Sequence, residues 1–187
     1  MRDTTQGAGQ FPAHLSATLA ELRLEQSRVA EARVAVGQLP AERRGQRATA
    51  TMLRASVRRA EGDARGASAL LEREMGTLLS DGNPSLTLFA LPLITAGEWR
   101  LAGGDARGAD SLARLAVKAA AIDSVALVRS GLAGRGELLL ARSLRARGEL
   151  PDARAAAGRA ITALGSGYGP DHAWTRSARL LADSLAR

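Results

Sequence analysis

The chain contains no cysteine. That excludes a disulfide framework, a thiol nucleophile and a thiolate zinc site, and it leaves the redox compartment open. Aromatic residues make up only 3% of the sequence. A core must then be built from Leu, Ala and Val, which suits close-packed helices better than a sheet rich in β-branched and aromatic residues. Long apolar runs are missing as well. The longest uncharged stretch, between Asp81 and Glu98, contains Pro84 and Pro92. It falls short of the roughly 18–20 apolar residues a membrane-spanning helix needs. The opening segment MRDTTQGAGQ has no apolar core after its arginine, so it does not read as a secretory signal. The expectation is a cytoplasmic protein, with residues 1–10 as a disordered tail and residues 11–187 as a single helical repeat domain.

Lysine is nearly absent too. Lys118 is the only one, so the formal charge of +7 is almost all arginine. A basic balance can indicate nucleic acid or anionic lipid. Here, however, arginines are spread evenly and interleaved with acids, as in LERE and AEAR, with no block of five or six like charges. Such a pattern favours solvated helix faces paired at helical spacing. An arginine-rich nucleic-acid-binding or transcription-regulator module stands as the alternative.

Residues for catalysis are equally scarce. There are two histidines: His14 opens the first helix, and His172, after Pro170-Asp171, reads as a capping or packing residue; neither has a second histidine or a carboxylate at ligand spacing. No nucleophile elbow or phosphate-binding P-loop occurs. GSGYG (Gly165–Gly169) mimics a phosphate loop but lacks a preceding strand and a basic partner, and it reads as a flexible linker. Glu72 and Glu74, two residues apart, point to different helix faces. Trp99 and Trp174 read as core packing, because base stacking needs several aromatics along a basic groove. The expectation is therefore no catalysis, no metal and no cofactor.

What the chain does contain is repetition. GDARGA occurs at Gly62–Ala67 and again at Gly104–Ala109, 42 residues on, with a looser copy, GELPDA, at Gly148–Ala153. A fixed interval of this size indicates a repeated structural unit. Each copy is preceded by an apolar-periodic segment and followed by a second one. Ala67, Leu70, Leu71, Met75 and Leu78 share one helical face. So do Ala109, Leu112, Ala116 and Ala119, and again Ala153, Ala157, Ala160, Ile161 and Leu164. The hexapeptide is thus a junction between two helices. Its glycine supplies the left-handed C′ residue, and its aspartate can cap the next helix. In the third copy Pro151 and Asp152 suit a helix start. The closing alanine lets the two helices approach.

A fainter junction is expected near Gln26–Ser27, although Leu15, Leu22, Val29 and Val36 also permit one continuous helix from 13 to 39. Near the C-terminus, Asp171 can cap a last helix. Its apolar face is Ala178, Leu181 and Leu185, and its outer face carries Arg176, Arg179, Asp183 and Arg187.

Three sets of residues carry a family resemblance. They are Gly62-Asp63 with Ala67, Gly104-Asp105 with Ala109 and Ala116, and Gly148-Glu149 with Ala153 and Ala160. On them the chain resembles tetratricopeptide repeat proteins. Its intervals are longer than usual and look like the long-hairpin variety of kinesin light chains and bacterial regulatory proteins. GYGPDHAWT (Gly167–Thr175) is similar to that variety's inter-repeat linker. Glu74 departs from the family pattern, as do Arg58 and Arg100. The resemblance implies an all-α, right-handed α-solenoid of about four hairpins plus a C-terminal capping helix. It also implies a scaffold or sensor part that binds a partner protein or peptide in a concave groove.

Projected onto that register, the groove-facing residues are Thr18, Met52, Ser56, Arg59, Glu98, Arg135, Arg142 and Arg145. The last three lie seven and three residues apart and share a helical face. Such a strip suits an acidic peptide held through charge-assisted bonds, and a solvated arginine face is the other reading. The family's clamp for chaperone tails uses groove asparagines and lysines. Asn83 is the chain's only asparagine and falls in a loop, so that specificity is not carried over.

Overall fold

A computed structural model describes residues 13–41, 43–80, 89–121 and 126–187. The proposed tail and Asn83 lie outside the described residues. Among those described, all regular structure is helical: α1 (Ala13–Glu25), α2 (Val29–Gly37), α3 (Arg44–Ala60), α4 (Ala64–Ser80), α5 (Ala90–Ala102), α6 (Ala106–Ala121), α7 (Ala126–Ala146), α8 (Leu150–Tyr168) and α9 (Ala173–Leu185). The chain divides into two compact units between Glu74 and Met75. In the first, α1 packs on α2, and α3 packs on both. In the second, α5 packs on α6 and α7 on α8, while α7 also packs on α5, α6 and α9.

Four junctions share one hydrogen-bond pattern. In each, the residue that ends the first helix has positive φ: Ser27 at 59°, Gly62 at 97°, Gly104 at 87° and Gly148 at 81°. Its N–H bonds the carbonyl three residues back (Ser27 to Leu24, Gly62 to Arg59, Gly104 to Leu101, Gly148 to Arg145). The next N–H bonds the carbonyl five back (Arg28 to Arg23, Asp63 to Arg58, Asp105 to Arg100, Glu149 to Leu144). This is the Schellman C-cap, which satisfies carbonyls that a helix end otherwise leaves bare. The division of 13–39 at Gln26–Arg28 follows from it. Ser27 takes the left-handed place that glycine holds in the other three.

The two identical hexapeptides do more. Asp63 Oδ1 accepts the Gly66 N–H at 2.8 Å, and Asp105 Oδ1 accepts the Gly108 N–H at 2.8 Å. The other carboxylate oxygen takes an arginine from the preceding helix, Arg58 at 2.5 Å and Arg100 at 3.1 Å. The Gly66 N–H and the Arg58 guanidinium hold the Asp63 carboxyl below its usual 3.8. A Cβ on Gly66 or Gly108 would lie 2.2 or 2.1 Å from that carboxylate, so the second glycine makes room for the cap. The presence of arginine at 58 and 100 is thereby accounted for. In the third copy Glu149 makes no side-chain cap; it pairs with Arg147 at 2.7 Å instead.

Most of the expected apolar faces are inside; Leu70, Leu112 and Ile161 are half-buried, and the Leu78 side chain lies outside the described residues. Ala67, Ala109, Ala116, Ala119, Ala153, Ala157, Ala160, Leu164 and Ala178 are fully buried, and Leu71, Met75, Leu181 and Leu185 nearly so. Two expectations need correction. Gly165–Tyr168 is not a linker but the last turn of α8, and only Gly169, at φ 96°, leaves the helix. Of the two residues expected at the start of α9, His172 is the cap and Asp171 is not: the His172 Nδ1 accepts the Trp174 N–H at 3.2 Å, and its ring stacks on Tyr168 at 4.7 Å. The linker is pinned further by Thr175, whose hydroxyl donates to the Gly169 carbonyl at 2.8 Å.

The shared turn geometry sets two opposite outcomes. Gly104→Val forces a β-branched side chain to φ 87° and is expected to cost about 1–2 kcal/mol in urea unfolding. Ser27→Gly relieves the same strain and is expected to raise stability by up to about 1 kcal/mol. An unchanged Gly104→Val midpoint contradicts the turn assignment.

Candidate functional site

Helix α7 is the centre of the second unit, and small residues let its neighbours close on it. A Cβ on Gly134 would lie 2.8 Å from the Leu164 backbone nitrogen of α8, and one on Gly136 would lie 3.3 Å from the Val117 nitrogen of α6. These approaches seat α8 and α6 against two different faces of α7. On another side α7 meets α5 and α9, and there polar side chains converge.

Arg135 of α7 lies 4.0 Å from Glu98 of α5. Its guanidinium carbon sits 4.6 Å from the centre of the Trp174 ring of α9, a cation–π contact. Its Nε is buried without a hydrogen-bond partner. Two turns on, Arg142 donates to Ser177 Oγ of α9 at 2.7 Å, and Arg145 reaches Ser184 Oγ at 3.5 Å. Glu98, Arg135, Arg142 and Arg145 are thus brought into one strip. Trp174, Ser177 and Ser184 complete it.

The electrostatics of the strip are those of partial burial. Burial raises the Glu98 carboxyl above its usual 4.5, against the opposing pull of Arg135 and Arg142. At 4.0 Å the ion pair with Arg135 is too loose to overcome that desolvation. Burial likewise lowers Arg142; Glu98 opposes that shift and the like charge of Arg145 adds to it.

Most other arginines are committed elsewhere. Arg159 makes a two-toothed bond to Glu137 at 2.8 and 2.9 Å. Arg114 and Arg147 both bind Asp110. Arg23 and Arg28 share Glu31, and Arg33 holds Glu61. Arg154, Arg176 and Arg179 donate to the carbonyls of Leu185, Asp171 and Pro170. Most arginines among the described residues thus have a partner within the chain.

The remaining candidates belong to the first unit. Met52 is buried in α3, with 4% exposure. Ser56 donates its hydroxyl to the Met52 carbonyl at 2.9 Å, so its proton is used within its own helix. Arg59 is half-buried on α3 and Thr18 is exposed on α1. Also in this unit, Leu15, Leu19 and Val34 line a shallow cavity of about 330 Å³ between α1 and α2. Among the described residues no group of three or more His, Asp or Glu is placed to hold a metal, and no helix is long and apolar enough to cross a membrane.

The sequence assigns Trp174 to core packing alone. Trp174 does pack on the core, but its ring also seats Arg135. Ser177 and Ser184 repeat the seven-residue spacing of Arg135 and Arg142, but nothing in the sequence ties them to those arginines.

The state of Glu98 gives a signed pH effect. The folded chain holds that proton more tightly than the unfolded chain does. The resulting stability is complete below 4.5 and is lost as pH rises through the higher folded value. Urea melts over roughly pH 4 to 7 should show Glu98→Gln gaining stability relative to wild type as pH rises, then levelling. A difference independent of pH contradicts the assignment.

Compared with family models, with curated proteins and with solved structures, the chain matches none of them.

Proposed function

We propose that the chain is a non-catalytic interaction module: a tetratricopeptide-like, right-handed α-solenoid serving as scaffold or sensor part of a bacterial regulatory protein in the cytoplasm. Its partner is a protein, gripped as an acidic peptide or helix along the strip on α5, α7 and α9. The observation that carries this reading is the convergence of Glu98, Arg135, Arg142, Arg145 and Trp174 from three helices that are each the first of a hairpin or the closing helix. Two arginines of the strip meet only neutral serines, whereas most other arginines have a carboxylate or a carbonyl. A partner carboxylate there gains charge-assisted hydrogen bonds at a partly desolvated position.

The experiment is capture from source-cell lysate, with and without nuclease, by wild type and by Arg142→Glu/Arg145→Glu. Arg135 is left intact because its contacts with Glu98 and Trp174 support packing. A protein partner retained after nuclease and lost in the variant is the expected result. Recovery of nuclease-sensitive material alone contradicts it and favours the nucleic-acid reading.

A further inference from the structure

The strip is not uniform along its length. Arg135 is occupied: it faces Glu98 at 4.0 Å and lies on Trp174 at 4.6 Å. Arg142 and Arg145 are one turn apart on α7, and among the described residues neither makes an ion pair with a carboxylate. Their hydrogen-bond partners are the Ser177 and Ser184 hydroxyls, at 2.7 and 3.5 Å. Two adjacent positive charges, one of them half-buried, stand without a counter-charge in contact. Such an arrangement costs free energy that a bound anion recovers.

The hydrogen-bond roles of the serines narrow the ligand. Ser184 donates its proton to the Leu181 carbonyl at 2.7 Å, so its hydroxyl has none left to offer. Ser177 accepts from Arg142, and its own proton has no acceptor among the described residues. The place therefore presents donors from two guanidiniums and one hydroxyl, and two positive charges with no carboxylate in contact, Glu98 attracting Arg142 only from beyond ion-pair distance. A single carboxylate neutralises one of those charges. A phosphomonoester dianion neutralises both and supplies three acceptor oxygens. A phosphodiester again carries only one charge.

We infer that Arg142, Arg145 and the Ser177 hydroxyl form a seat for a dianionic phosphoryl group borne on a side chain of the partner protein. This rests on the reading of the strip as a protein-binding groove, and it makes partner capture conditional on phosphorylation.

The test is titration of the full chain with phenyl phosphate, dimethyl phosphate and acetate at matched ionic strength. It is followed by NMR at the Ser177 amide and the Arg142 and Arg145 Nε–H groups. Phenyl phosphate is expected to give saturable shifts confined to these groups. Arg142→Gln and Arg145→Gln should each weaken binding about tenfold, with exposed Arg107→Gln unchanged. Arg145 is solvent-exposed, so its variant keeps the test valid if Arg142→Gln disturbs the contact with α9. Acetate binding as tightly as phenyl phosphate overturns the inference in favour of a carboxylate seat. Dimethyl phosphate binding as tightly overturns it in favour of a nucleic-acid contact, and the absence of localised shifts overturns it outright. Phosphatase treatment of the lysate separates the two proposals. A protein partner captured equally after that treatment defeats the seat and leaves the interaction module standing.

Discussion

The pairing of successive helices among the described residues depends on a single residue turning left at the end of each first helix. Ser27, Gly62, Gly104 and Gly148 adopt positive φ, and each Schellman cap reverses the chain while satisfying the carbonyls it exposes. Where the hexapeptide is GDARGA, the aspartate then caps the next helix and an arginine from the previous helix closes over it. That arginine ties the two helices of a pair at their junction. The close approach of α7 to α6 and α8 then leaves another side of α7 for α5 and α9, and the polar strip forms there. The strip is a consequence of junction geometry and packing as much as of its own residues.

Arginine serves two purposes in this protein. Most guanidiniums are structural, pairing with caps, buried carboxylates such as Glu137 and Asp110, or helix-end carbonyls. Exposed pairs of that kind add little stability each, but they leave few basic groups free for a partner. Arg142 and Arg145 are the exceptions on α7, and their difference from Arg135 lies in what surrounds them. Arg135 has an aromatic face and a carboxylate, and the other two have serines. A net charge of +7 therefore says little about binding until each arginine is traced to its partner.

Much of the helical framework is legible in the sequence. Glycine followed by aspartate marks the junctions because few other residues serve both a left-handed turn and an N-terminal cap. Alanine faces at spacings of three and four mark the buried sides, and Ala67, Ala109 and Ala153 are fully buried. The last turn of α8 was hidden because GSGYG is rich in turn-forming residues. It stays helical where Leu164 is fully buried and the Tyr168 ring lies against Gly131 and His172. Half of the strip was legible as well: Arg135, Arg142 and Arg145 share a helix face by spacing alone. Trp174, Ser177 and Ser184 were not, because only the packing of α7 on α9 brings residues 35 or more positions away to those arginines. Met52, on a face expected to be open, is buried in α3. Spacing identifies a helix face without saying whether that face is open.

The most direct test of the central claim, that α5, α7 and α9 present one shared polar face, is the ring-current effect of Trp174 on Arg135. With the guanidinium carbon 4.6 Å from the ring centre, the Arg135 side-chain protons should resonate well upfield of other arginines. They should return to ordinary positions in Trp174→Leu. Arg135 side-chain shifts that are ordinary in the wild type and unaffected by Trp174→Leu would mean that α7 and α9 do not meet as described, and the strip would not exist.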